Sequence, residues 1–210
     1  MPLNFAVIAD IERLILSIGN EYRRNQGLIL TENDLAGLIY GRLRSFFLSP
    51  RTANKSGLRW CMRTQDGRIS ASPVHLEVPW YDARGSLRIR PDITILEPNQ
   101  LSILHRYGDG LRLPSKQFEF AGNAIIMELK FVRQKTGIIE NTMKAIRSDF
   151  NKIQDSLVAH ENTNLRERLY CFFVVFNKTD KRCTSFDRHL VEHSGGAWYK
   201  YVYCSGRVSF

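Results

Sequence analysis

The chain has 210 residues, 43% of them apolar and 24% charged, which describes a folded globule with one buried core and excludes a disordered or low-complexity chain. Lysine and arginine outnumber aspartate and glutamate by 30 to 21, a formal charge of +9, so a polyanion is the expected partner, nucleic acid first and an anionic membrane surface second. Asp10, Glu12 and Arg13 interrupt the first apolar pattern as no signal peptide would allow. No apolar run reaches membrane-spanning length, and four cysteines without CxxC spacing fit the reduced cytoplasm.

In chain order, Ile8, Ile11, Leu14, Ile15 and Ile18 recur at helical spacing and predict a helix over 5–18 within an N-terminal segment of 1–30, with Gly19-Asn20 as its stop. Thr31 and Asp34 form a capping box for a second helix, whose apolar face is Leu35, Leu38, Ile39, Leu43 and Phe46 and which Pro50 ends. Residues 51–72 read as a basic insertion, a long loop or irregular hairpin. Around it Arg42, Arg44, Arg51, Lys55, Arg59, Arg63 and Arg68 stand against the single acid Asp66, with Trp60 interleaved. Arg51, Lys55, Arg59, Trp60 and Arg63 are therefore candidate nucleic-acid contacts, the cations for phosphates and the indole for stacking. A merely solvated basic loop is the alternative.

Alternation predicts a strand over 74–80 and a second over 87–96, the latter interrupted by Pro91 and so placed at an edge or bulge. Residues 97–123 form a turn-rich insertion with room for a short hairpin. A third strand spans 124–132, and after Gly137 a helix carries Met143, Ile146, Phe150, Ile153 and Leu157 on one face. LYCFFVVF at 169–176 is a central strand covered on both sides, and 198–204 supplies another. This order predicts one α/β domain over 1–210, a sandwich of helices flanking a central mixed β-sheet. Cys183, His189 and His193 match no common zinc spacing.

The strand IIMELKF is the anomaly, because Glu128 and Lys130 sit two apart in an otherwise apolar run. Residues two apart on a strand share a face at roughly 7 Å, and a neighbouring strand lies about 5 Å away, so Asp92 joins them if its strand pairs with this one. Two such carboxylates repel unless a proton or cation intervenes, and a hard ion such as Mg²⁺ or Mn²⁺ suits one or two carboxylates with waters. Beside a lysine, that set is suited to phosphodiester hydrolysis.

Pro91-Asp92 followed by Glu128-Leu129-Lys130 resembles the signature of the PD-(D/E)xK nuclease superfamily, and the likeness extends more loosely over about residues 31–176. The resemblance implies a restriction-endonuclease-like fold and a Mg²⁺ (or Mn²⁺) ion held by Asp92, Glu128 and the carbonyl of Leu129, with Lys130 catalytic. It also implies a further acid from the preceding helix, for which Glu32 and Glu77 compete, and a polar residue from the following helix, Asp149 or Lys152. The interval between Asp92 and Glu128 is longer than the family's usual one.

Two classes of function follow. The first is a metal-dependent DNA endonuclease of restriction, repair, recombination or phage defence, acting alone, as a homodimer or as a subunit of a larger DNA-processing complex. The second is a nucleic-acid-binding or assembly subunit on the same fold that does not cut. RNA stands behind DNA as the substrate, and no membrane role is expected.

Overall fold

The computed structural model describes residues 4–59, 61–65, 70–81, 87–103, 111–113, 118–120, 122–158, 169–196 and 198–206. Trp60, Asp66 and Arg68 lie outside the described residues, as does the turn expected at 82–85.

Helix α1 (Ile8–Arg24) buries Ile11, Ile15, Ile18 and Tyr22, the stripe that the apolar spacing predicts. It runs past Gly19 instead of stopping there. A Cβ on Gly19 would stand 2.5 Å from the sulfur of Cys204, so the glycine lets helix and sheet approach closely. Helix α2 (Glu32–Leu48) starts at the predicted capping box: Thr31 Oγ1 accepts the Asp34 N–H at 3.1 Å, and Asp34 Oδ2 accepts the Thr31 N–H at 2.9 Å. Pro50 opens a further helix, α3 (Pro50–Ser56), because its fixed φ and missing N–H suit the first helical turn. The first part of the expected basic loop is therefore helical, anchored by buried Thr52 and Ser56. It is followed by a small antiparallel hairpin of β1 (Met62–Arg63) and β2 (Ser70–Ala71).

Each of the next two expected strands divides. The first gives β3 (Val74–Leu76) and β4 (Trp80–Tyr81), broken at Glu77, whose φ of +49° no strand residue adopts. The second gives β5 (Leu87–Ile89) and β6 (Ile93–Leu96), separated by Pro91, which has no N–H for a ladder. After each break the chain changes sheet. Strands β4 and β5 join β7 (Leu101–Ile103), β8 (Leu111–Leu113) and β9 (Phe118–Phe120) in a second sheet ordered β5-β4-β8-β9-β7. The 97–123 insertion thus holds three strands where a short hairpin was expected.

The remaining elements are β10 (Ala124–Val132), α4 (Glu140–Val158), β11 (Leu169–Asn177), α5 (Thr184–Glu192) and β12 (Tyr199–Ser205). The main sheet has the order β12-β11-β10-β6-β3; β10, β11 and β12 run parallel, and β6 is antiparallel to both its neighbours. This is a mixed α/β fold with helices on both faces of a five-stranded mixed sheet.

Period-two alternation divides β10 between two cores. Ile125, Met127, Leu129 and Phe131 pack under α1 and α2, while Ala124, Ile126 and Val132 pack toward α4 and α5. Glu128 and Lys130 occupy the second face. The partner strand β6 accompanies β10 only over Ala124–Met127, with Ile93 opposite Met127. Beyond that point β10 continues beside β11 alone, and a notch opens along its other edge.

Candidate functional site

The notch is built by three segments. Asp92 immediately precedes β6, and its Oδ2 accepts the Leu129 N–H at 2.7 Å. Glu32, the first residue of α2, accepts the Phe131 N–H through Oε2 at 2.9 Å. Amides two apart on a strand point to the same edge, so these carboxylates take over the ladder positions that β6 vacates. In a strand, the carbonyl of a residue points the same way as its N–H, which turns the Leu129 carbonyl into the notch beside Asp92. Glu128 and Lys130 project from the α4 face. Lys130 Nζ donates to Asp149 Oδ2 at 3.2 Å, and Lys152 Nζ donates to Asp149 Oδ1 at 3.1 Å. Asp149 therefore holds two ammonium groups, Lys130 at 30% side-chain exposure and Lys152 at 70%.

The electrostatics record the crowding. Asp92 is pushed up to about 6, first by burial and then by Glu32 and Glu77, against the pull of the Leu129 amide and Lys130. Glu128 is pushed up to about 8, again mainly by burial and then by Asp92, Asp149 and Glu32, with Lys130 opposing. Burial alone would lower the Lys130 ammonium, but Glu32, Asp149 and Glu128 outweigh it and the net shift is upward. Two half-buried carboxylates that resist ionisation together, facing a carbonyl and a retained ammonium, suit a divalent cation, because its charge would relieve the repulsion. Among the described residues no three His, Cys, Asp or Glu side chains close into a ready-made cage, Cys183, His189 and His193 included. An ion that keeps most of its waters needs only one or two carboxylates.

Asp92, Glu128, Leu129, Lys130, Glu32 and Asp149 thus come together, although they span more than a hundred positions of sequence. Glu77 is exposed; its backbone N–H donates to the Asp92 carbonyl at 3.0 Å, and its charge acts on Asp92 without reaching β10's edge. Lys152 reaches the site only through Asp149.

The basic segment lies elsewhere. Arg51 and Lys55 sit on α3, past the far end of α2 from Glu32, and a 17-residue helix is about 25 Å long. Lys55 is moreover ion-paired at the surface to Asp10 of α1. Arg59 and Arg63 are exposed. A cation closer to the notch is Arg133, which its place between a strand end and a turn gives no local reason to single out. It follows β10 directly, is exposed, and lines the cavities on either side of that strand's end.

Comparison with protein-family models, curated proteins and solved structures finds no match.

Proposed function

We propose that the chain is a divalent-metal-dependent nuclease of restriction-endonuclease-like fold that hydrolyses phosphodiester bonds in DNA. The observation that carries this reading is the convergence of Asp92, Glu128 and Lys130 in the notch where β6 leaves β10, with the Leu129 carbonyl aimed at the same place. A pure binding module has no physical use for two carboxylates pressed together until their protons are retained.

Asp92, Glu128 and the Leu129 carbonyl would hold the ion, whose chemistry is to polarise the phosphate and lower the pKa of a water. Lys130, fixed by Asp149 and kept charged by the surrounding acids, directs a positive charge at oxygens that gain negative charge during attack. Glu32 and Asp92 hold the strand edge straight by accepting its two free amides, so the groups of β10 are preorganised. The surplus of nine positive charges draws a polyanion to the surface.

Purified protein incubated with supercoiled, linear, branched and single-stranded DNA, and with RNA, in Mg²⁺, Mn²⁺ or EDTA tests the reading. Cleavage of DNA with either ion and none in EDTA is expected. Absence of cleavage of every nucleic acid with both ions would overturn it.

A further inference from the structure

Lys130 stands at the wall of a cavity of about 490 Å³ between the end of β10 and the first turns of α4. This is within the size range of small-molecule pockets. Its body is apolar, lined by Ile139 and Ala145 among others, and it carries neutral polar groups: Thr142 Oγ1 donates to Gln134 Oε1 at 3.3 Å, leaving the Gln134 NH₂ as a donor. Arg133 lies on the wall shared with a second cavity of about 290 Å³ beside Thr31 and Glu32. The two hollows flank the strand end, with Arg133 between them.

The charges decide what fits. Lys130, Lys152, Lys55, Arg42 and Arg182 are each engaged by a carboxylate of the chain. Arg133 forms no ion pair among the described residues. An exposed guanidinium with no ion pair among the described residues, at the rim of a cavity with an apolar body and neutral hydrogen-bonding groups, matches a nucleotide: a flat base with a polar edge, and a phosphate for the fork of the arginine. The cavity is too small for stacked base pairs, so its occupant has left the stack.

We propose that this cavity is a subsite for one unstacked nucleotide adjoining the phosphate that is cut, with Arg133 on that nucleotide's other phosphate. The proposal rests on the nuclease reading of the notch and adds that the substrate is unpaired beside the cut.

The test uses Arg133→Gln, and Ala145→Phe, which fills the cavity from an exposed helix position, against wild type. Single-turnover cleavage of a single-stranded oligonucleotide in Mg²⁺ is compared with anisotropy of the same labelled oligonucleotide in Ca²⁺ and with hydrolysis of bis(p-nitrophenyl) phosphate, a diester without a nucleoside. The half-saturating oligonucleotide concentration, and the oligonucleotide's dissociation constant in Ca²⁺, should rise about tenfold in both variants, with maximal rates within about threefold and the small diester cut as by wild type. Wild-type half-saturation in both, or equal loss on the small diester, would overturn the subsite and leave the nuclease reading standing. If Ala145→Phe does not fold, Arg133→Gln alone decides. If wild type cuts duplex DNA but not the single-stranded oligonucleotide, the subsite falls alone; if it cuts no nucleic acid with Mg²⁺ or Mn²⁺, both readings fall.

Discussion

Strand β6 has a carboxylate at each end. Asp92, before its first residue, accepts the Leu129 N–H at 2.7 Å; Glu97, after its last, accepts the Asn123 N–H at 2.9 Å. The hydrogen bonds are alike and the surroundings are not. Glu97 is 1% exposed and walled in so closely that a Cβ on Gly122 would meet its Oε2 at 2.4 Å. Asp92 is half-buried and shares its space with Glu128, Glu32 and Lys130. Both carboxylates accept a backbone amide, but among the described residues only Asp92 does so in the company of other charged groups.

The largest effect should come from exchanging these two roles. Asp92→Asn keeps an acceptor for the Leu129 amide, so the fold should hold within about 1 kcal/mol while single-turnover cleavage falls about a thousandfold. Glu97→Ala should do the reverse, costing about 1–3 kcal/mol in thermal or urea unfolding by removing a fully buried carboxylate and the acceptor of the part-buried Asn123 amide, with the rate per folded molecule within a few-fold of wild type. Equal loss of cleavage in both would end the distinction.

A sharper comparison lies on Asp149, which binds two lysines of different burial. Lys130→Ala should reduce the single-turnover rate about a hundredfold with DNA affinity within a few-fold, whereas Lys152→Ala should change it less than about threefold. A rate loss shared equally by the two variants would mean that Asp149, and not Lys130, is the group the reaction depends on.

The smallest effect is on stability against pH. Burial first, and then the neighbouring acids, push Asp92 up to about 6 and Glu128 up to about 8 from their ordinary 3.8 and 4.5. As pH rises from about 4 to 8 the unfolded chain releases protons that the folded chain retains, so these groups progressively lower stability across that window. Saturating Mg²⁺ should reverse the trend. His189, buried beside Phe150 and held down to about 4 by burial, then His193 and Arg147, acts in the opposite direction by favouring the unfolded chain below about 6.5. The difference in melting temperature between wild type and Glu128→Gln therefore isolates the notch; a difference that does not change with pH would remove the crowding argued for Glu128.

Much of this architecture is legible in the residues. The amphipathic face of α4 follows from local periodicity, β10 and β11 from their apolar runs, and the start of α2 from the Thr31 and Asp34 capping pattern, all of them signals carried by neighbouring residues. Gly19 misleads because a glycine that ends a helix and one that admits Cys204 look the same in sequence. Residues 74–80 and 87–96 read as single strands because alternation survives across Glu77 and Pro91, while the chain there passes from one sheet to the other. Within the site, the set Asp92, Glu128 and Lys130 is visible as charge in apolar strands. The contact of Glu32 with Phe131, 99 residues away, is not, since a first-turn acid already has a local reason to be there.

Those separations also shape how the molecule comes into being. The Asp92 contact closes over 37 residues and the Glu32 contact over 99, so neither can form until long stretches of chain have surrendered their freedom. Helix α4 can form locally and β11 can find β10 without either carboxylate in place. A nascent chain that has not yet emerged past Phe131 has no notch. The concentrated charge is thus confined to the finished fold, and the unfolded chain carries the same residues without their mutual proximity.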